Sequence, residues 1–523
     1  MRSTFHGLET SKRGLFSQQT AMNTAGHNIA NANTPGYSRQ VVDFTASTPI
    51  EAPGITSSTA PGQLGTGVDF SNINRVRESF LDGQFRNQNK GLGDWTVQRD
   101  TLEKIETIMN EPSDYGLRSV LDSFWNSWQD LAGQPDNLTA RSVVMENSLA
   151  LTDTINDISA KLTDLNKDLS ESINIKVDDA NTLVTQIASL NDEIFRVETL
   201  GNKANDLRDQ RDLLTDQLSK LINIDVKETS RGYTVTSGST ELVSGKTATL
   251  LDANSLPADI SGGELNGYLT SINHVNTFKS QLDQLVKGLV EGEFELAMPA
   301  GTILPEGTTL TKTDGTTLTF TGDITSRTLT SDTTVIVKGL NGLHKLGYTL
   351  KEPLQGGGDF FTTEDGSGDF RAGNIQVSDA IKNDVRNIAA STSTFLDSSG
   401  TEKVTKGNNQ LALWIGQLRN TEVNFDGSSS TAIAGKSTID EVFRSMIGTL
   451  GVKSKEAIRQ EDNHELLASQ VDEQRMSVSG VSLDEEMANL VKYQQAYNAS
   501  ARMITAIDEM LDKVINGMGV VGR

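Results

Sequence analysis

Cysteine is absent from all 523 residues, which excludes disulfide bridges and thiolate metal sites. Aromatic residues make up 5% of the chain and apolar residues 36%. That lean supply suits extended helical bundles with much exposed surface better than compact globules. Positive charge is in deficit: 46 Lys and Arg face 69 Asp and Glu, a net charge of −23. A phosphate-binding face needs the opposite sign, so nucleic acid and anionic membranes are disfavoured as partners. The acidity keeps a chain of this kind soluble. No stretch approaches the roughly 18 apolar residues of a membrane span, and residues 1–30 hold no continuous apolar core of a secretory signal. Work outside the cell would therefore call for an export route that reads no cleaved signal.

What is present is concentrated at the two ends. Leu8, Leu15, Met22 and Ile29 recur every seven residues. A second seam runs Leu483, Met487, Leu490, Gln494, Tyr497, Ala501, Ile504, Asp508, Leu511, Ile515 and Met518, alternating steps of four and three. Such spacing specifies coiled-coil packing. It leaves open whether the seams pack on each other within one chain or on other copies, and polar Gln494 and Asp508 in the seam favour a register-setting contact between copies. Together they point to assembly rather than catalysis.

The spacing predicts a helix over 4–33, stopped by Pro35-Gly36, and a Pro/Gly/Ser/Thr-rich linker or hairpin over 45–67. A helix resumes near Ile73 and is closed by Glu111-Pro112-Ser113-Asp114, which caps a helix carrying Leu117, Leu121, Phe124, Trp125 and Trp128. One apolar stripe from Leu151 to Val197 predicts a helix over about 138–199, roughly 90 Å long, ended by Gly201. Asn205-Asp206-Leu207-Arg208-Asp209-Gln210-Arg211-Asp212-Leu213-Leu214 opens the next helix, to about Ile222. Residues 224–251 alternate as strands, and a helix follows Gly262-Gly263. Residues 293–338 form a Thr-rich β module, 353–370 a loop, and helix returns from about 405. The expected fold is multidomain and mainly α with inserted β modules (α+β): an elongated helical bundle with paired N- and C-terminal coiled-coil helices. The expected division sets 1–70 with 471–523 as one terminal domain. A helical rod follows from 71–223 with 263–292 and 405–470, and a β-rich and loop domain from 224–262 and 339–404. Residues 293–338 stand as an insertion.

No catalytic constellation is legible. His6, His27, His274, His344 and His464 are scattered and none has metal-ligand spacing. The Gly262-Gly263 and Gly356-Gly357-Gly358 runs lack the strand–glycine–helix setting of a phosphate cradle. Asp365-Gly366-Ser367-Gly368-Asp369 lacks the spacing and terminal glutamate of a calcium loop and reads as an acidic turn. Asp484-Glu485-Glu486 follows Ser482, a good N-cap with Glu485 at the capping-box position. The tryptophans Trp95, Trp125, Trp128 and Trp414 read as core. No enzyme activity, catalytic residue, cofactor or metal is expected.

The string Asn28-Ile29-Ala30-Asn31-Ala32-Asn33-Thr34-Pro35-Gly36-Tyr37 resembles the signature of the bacterial flagellar rod, hook and hook-associated proteins. Its continuation Ser38-Arg39-Gln40, the segment Val481 to Met487, the run Tyr493 to Arg502, the Asn205–Leu214 run and the Gly65-Thr66-Gly67-Val68 turn are similar to the hook-associated branch of that family. The resemblance covers about 1–292 and 339–523; the Thr-rich insertion departs from it. It implies a structural subunit of the flagellum, exported by the type III route without cleavage, that joins hook to filament. Implied partners are a ring of its own copies, hook protein, hook-associated protein 3 and a cytoplasmic export chaperone on the C-terminal segment. The residues it places at the assembly interface are Leu8, Leu15, Met22, Ile29, Asn31, Asn33, Pro35, Gly36 and Tyr37 at one end. At the other they are Leu483, Met487, Leu490, Gln494, Tyr497, Ala501, Ile504, Leu511 and Ile515. Other axial proteins of the same family (hook or rod), and a secreted adhesin or host-binding surface protein with the β modules as binding faces, are the alternatives.

Overall fold

A computed structural model describes residues 5–49, 65–111, 113, 116–229, 232–425 and 435–517. Pro112, Asp114, Met518 and most of the expected 45–67 linker lie outside the described residues. The chain divides into two compact units. The first comprises Met1–Trp95, Ile173–Gly267 and Gln460–Arg523, and the second Thr96–Ser172 and Tyr268–Arg459.

In chain order the elements begin with α1 (His6–Ala30), β1 (Gln40–Ala46), β2 (Val68–Arg75), α2 (Ser79–Met109), α3 (Leu117–Gly133), α4 (Leu138–Thr199) and α5 (Asn205–Leu221). Strands β3 (Asp225–Thr229), β4 (Gly232–Ser237), β5 (Thr240–Ser244) and β6 (Thr247–Ala248) precede α6 (Glu264–Glu291). Then come β7 (Glu293–Met298), β8 (Thr308–Lys312), β9 (Thr317–Phe320), β10 (Thr333–Lys338) and α7 (Gly339–Lys345). Short elements follow: β11 (Phe361–Thr363), β12 (Ile375–Val377), α8 (Asp379–Asn383), β13 (Thr394–Leu396), β14 (Glu402–Val404), α9 (Gln410–Gln417), β15 (Val423–Phe425) and β16 (Gly435–Ser437). The chain closes with α10 (Ile439–Ser479) and α11 (Leu483–Asp512).

The expected long helix is α4, 62 residues without a break. Its stripe from Leu151 to Ile194 is buried, and it ends just before Gly201, whose φ of 88° suits a residue without Cβ. One expected helix start is corrected. Ile73 lies in β2, not in a helix. Residues 68–75 pair antiparallel with 40–46, and helix begins only at Ser79. The pairing with β1 shifts register between Asp43 and Phe44, so the ribbon is bulged and its side chains do not alternate cleanly.

Within the first unit the second sheet is the meander β3-β4-β5-β6. Within the second, β7 to β10 join β15 and β16 in a six-stranded sheet of order β16-β15-β7-β10-β8-β9, so the Thr-rich segment shares its sheet with strands far along the chain. The core of this unit is aromatic. Phe124, Trp125 and Trp128 of α3 are fully buried with Phe360 and Phe361. Trp128 meets Phe360 at 5.4 Å and Phe124 meets Trp125 edge-on at 4.9 Å between ring centres. Trp414 is buried and Trp95 half-buried.

Candidate assembly interface

The two ends of the chain do pair, but not along the leucine seams. A Cβ built on Gly7 would stand 3.0 Å from Ile507, and one on Gly14 would stand 3.1 Å from the Ser500 hydroxyl. As the α1 number rises the α11 number falls, so the helices run antiparallel. The buried face of α1 is Ser11, Ser17, Ala21, Thr24, Ala25 and Asn28. Gly7, Gly14, Ala21 and Asn28 form a heptad one residue ahead of Leu8, Leu15, Met22 and Ile29. On α11 the buried residues are Glu486 and Ile507, and Ser500 falls in the same heptad. Helix separation depends on the side chains at the contact, and residues this small let the two backbones approach closely.

The expected seam residues consequently flank the contact. Leu8, Leu15, Met22, Ile29, Leu490, Tyr497, Ala501, Ile504 and Leu511 are half-buried, while Leu483, Met487, Gln494, Asp508 and Ile515 are exposed. Further apolar side chains on these helices, and Val514 just past α11, stand in the open: Phe16, Val491, Met503, Met510 and Val514 are all more than half exposed. That much apolar surface on two paired helices is the mark of an interaction face.

The loop after α1 is built on one side chain. Asn28, fully buried, donates from Nδ2 to the Gln40 carbonyl at 2.9 Å. Its Oδ1 accepts from the Gln40 amide at 3.0 Å and from the Tyr37 hydroxyl at 2.8 Å. Only a carboxamide both donates and accepts in this way. Asn31 holds the helix end, donating to the His27 carbonyl at 3.0 Å and accepting from Thr34 at 3.2 Å. Gly36 has φ 78° and lies against Leu213, where a Cβ would come to 3.0 Å, so both backbone and space require glycine. Asn33 and Pro35 are exposed.

Helix α5 explains its own string. Asn205 donates to Gln40 and to the Ile73 carbonyl, Asp206 accepts from Gln40 at 2.7 Å, and Asp209 accepts the Ser38 amide at 2.9 Å. Asp209, Asp212 and Asp216, spaced three and four apart, share one helix face and meet a set of buried arginines. Arg75 bonds Asp209 at 2.7 Å and Asp212 at 3.0 Å, Arg77 bonds Asp82 at 2.8 Å, and Arg86 bonds Asp216 at 2.6 Å. Arg475 of α10 reaches Asp216 at 2.8 Å and lies over the Phe85 ring. Burial alone would raise Asp212, but Arg77 and Arg75 outweigh it and hold that carboxyl below the usual carboxylate range. Burial raises Asp209. The network joins β2, α2, α5 and α10, residues that sequence reasoning passed over. The signal for it was the aspartate spacing in the 205–216 run.

The groups considered for chemistry have structural partners. His344 is buried, its Nδ1 at 2.7 Å from the Gly358 carbonyl and its Nε2 accepting the Ala389 amide at 2.8 Å; burial pushes it down to about 4. Burial and Lys453 likewise bring His274 to about 4. His464 pairs with Gln88 and His27 with Asp206. Asp365 accepts from the Ser367 amide and hydroxyl, which lower it to about 2, the geometry of an acidic turn. Ser482 caps α11 by accepting the Glu485 amide. Among the described residues no three His, Asp or Glu side chains are grouped to hold a metal, and no helix is long and apolar enough to cross a membrane. A groove of about 1940 Å³ in the second unit is lined by Lys345, Asp359, Lys403 and Glu352. Two ion pairs cross its lining, Lys345 with Asp359 and Lys403 with Glu352.

Comparison with known proteins bears on the same elements. The model of the flagellar hook-associated protein FlgK helical domain matches residues 102–361. That of the flagella basal body rod protein matches 8–37, and that of the flagellar basal body rod FlgEFG protein C-terminal matches 473–517. The last two cover most of α1 and α11. Flagellar hook-associated protein 1 of Bacillus subtilis is 36% identical over 549 residues, covering 100% of both chains. The protein of the same name from Salmonella typhimurium is 27% identical, covering 96% of this chain and 98% of its own. That from Escherichia coli is 25% identical over 97% and 99%. Among solved structures, the flagellar hook junction protein FlgK from Burkholderia pseudomallei aligns with a TM-score of 0.47 at 16% identity, over 75% of this chain and 100% of that one. With full-length identity of this extent, the chain belongs to the flagellar hook-associated protein 1 family.

Proposed function

We propose that this chain is a structural subunit of the bacterial flagellum that joins hook to filament, assembling through its terminal helices. The observation that carries the reading is the α1–α11 pair. On the α1 side the contact with α11 runs through glycines, Gly7 against Ile507 and Gly14 against Ser500, and much apolar surface of the two ends, from Phe16 to Ile515, stays in the open. Burying that surface against neighbours is worth roughly 25 cal/mol per Å², which favours a packed array of copies over the lone chain. Family membership supports the same reading.

In this reading residues 1–70 with 471–523 form the innermost layer of a ring of copies. Hook protein lies on one side and hook-associated protein 3 on the other. The exposed residues Leu483, Met487, Gln494 and Ile515 meet neighbouring subunits, with Asn33 and Pro35 at the base of the arm. The 293–338 strands face outward. The chain reaches the hook tip by type III export, uncleaved, escorted by a cytoplasmic chaperone on its C-terminal segment. Its role is mechanical and not catalytic.

Removing residues 484–523 is expected to abolish incorporation at the hook tip and filament growth while the aromatic core of the second unit stays folded. Imaging of a labelled full-length copy should give one focus at the hook–filament boundary. Label spread along the filament, or normal filaments from the truncated chain, would show the reading to be wrong.

A further inference from the structure

The chain has no cysteine, so its 11 methionines hold all of its sulfur. Within the described residues these methionines separate by exposure. Met109 of α2, Met298 of β7 and Met446 of α10 are buried, each at 2% exposure or less. Met22 and Met145 are half-buried. The methionines that stand more than half exposed are Met476, near the end of α10, and Met487, Met503 and Met510 of α11.

Spacing places those of α11 on the helix. Met503 and Met510, seven apart, share one face, and Met487 shares another with exposed Val491, four residues on. None of them fills the contact with α1, which runs through Ser500 and Ile507. Each thioether is therefore open to a small solute on the free chain. Each also belongs to the apolar surface of the terminal helices. A flexible, polarizable methionine moulds itself to whatever covers it, and the same sulfur is its reactive atom.

A peroxide delivers one oxygen to a thioether. The O–O bond breaks, an S–O bond forms, the sulfur is oxidised by two electrons and the remaining peroxide oxygen leaves as water. The product is a sulfoxide, a polar hydrogen-bond acceptor in place of an apolar side chain. On an exposed helix face water solvates it and the fold is undisturbed. Under a neighbouring subunit it becomes a buried acceptor without a donor.

We infer that Met487, Met503 and Met510 are a modification site for peroxides, whose sulfoxides withdraw the free chain from assembly without unfolding it. The inference rests on the terminal helices being the assembling surface. Reduction of the sulfoxides restores the chain. Copies already packed, with these thioethers covered, escape the reaction.

The test treats the full chain with hydrogen peroxide and locates the added oxygen by peptide mass spectrometry. Met487, Met503 and Met510 should carry it, together with Met476, before Met109, Met298 and Met446, while tryptophan fluorescence stays unchanged. Binding of the treated chain to isolated hooks should fall by about 5- to 100-fold for each sulfoxide that is buried. Methionine sulfoxide reductases, one for each epimer, should restore it. A chain carrying Met487→Leu, Met503→Leu and Met510→Leu, compared with itself before and after peroxide, should show no fall. Met476→Leu alone should keep the full fall. Binding that persists with all three sulfoxides in place would overturn the inference. So would a triple variant that falls as far as the unmodified chain, or buried methionines that oxidise as fast as the exposed ones. If the untreated chain bound no hooks, the assembly reading itself would fall and the inference with it, an outcome distinct from a chain that binds hooks and ignores peroxide.

Discussion

The terminal arm and the aromatic centre of the second unit reach order by opposite means. Around α3, large rings fill space: Trp125, Phe124, Phe361, Phe360 and Trp128 are fully buried and each meets the next in that order. Along α1, order comes from removing bulk, with glycine, serine and alanine where leucine would have been expected. The first region is self-sufficient. The second keeps its large apolar side chains for something else. A helix pair in which one helix offers glycines to the contact while both keep apolar side chains outside is half of a larger structure.

That contrast can be broken in graded ways. The largest effect should come from Trp128→Ala, which empties a ring-sized volume and should cost the second unit about 3–5 kcal/mol, read by chemical denaturation with tryptophan fluorescence. Acid should act on the same region. His344 is held neutral in the fold, brought from 6.5 down to about 4 by burial, so the unfolded chain binds the extra proton first. Its contribution is full above about pH 6.5 and is lost as the pH falls toward 4. The difference amounts to about 3 kcal/mol. His344→Asn should remove that share of the pH dependence of the unfolding midpoint and leave the share of His274, which is lowered to about 4 as well.

Smaller effects separate the two accounts of the arm. Gly14→Leu drives a side chain into Ser500 and should weaken the α1–α11 pairing by about 1–3 kcal/mol, seen as lost amide protection in both helices. Leu15→Ala, at the neighbouring half-buried position, should cost less than about 1 kcal/mol in the isolated chain. If Leu15→Ala proved the more damaging of the two, the leucine seam would be the true intramolecular contact.

Much of the fold was legible because its long helices obey a simple period. The unbroken stripe of α4, its stop before Gly201 and the Ser482 cap of α11 all follow from residue type and spacing. The start at Ile73 was misread because a short bulged strand with scattered apolar residues carries no clear period of its own, and the helical stripe from Leu81 was extended back over it. Which stripe of the arm packs on its own chain stayed open in the sequence for a physical reason. Reading by hydrophobicity finds the stripe that most needs covering, and in a subunit built for assembly that stripe need not face its own chain. The heptad of Gly7, Gly14, Ala21 and Asn28 was in view but carries no apolar signal. The arginine–aspartate network was hidden for a related reason. Each of its charges looks like solvated surface until Arg75, Arg77, Arg86 and Arg475 are brought around Asp212 and Asp216 by contacts distant in sequence.

The small-residue seam also bears on how such a chain can vary over generations. At Gly7 and Gly14 a Cβ already comes to 3.0 and 3.1 Å from the partner helix, so any side chain larger than alanine must push that helix aside and the inner register of the arm has few neutral alternatives. The outward positions, from Phe16 to Met510, make no such demand on their own chain. Variation is thereby channelled outward: lineages can revise which neighbour the arm fits while inheriting the same way of folding it.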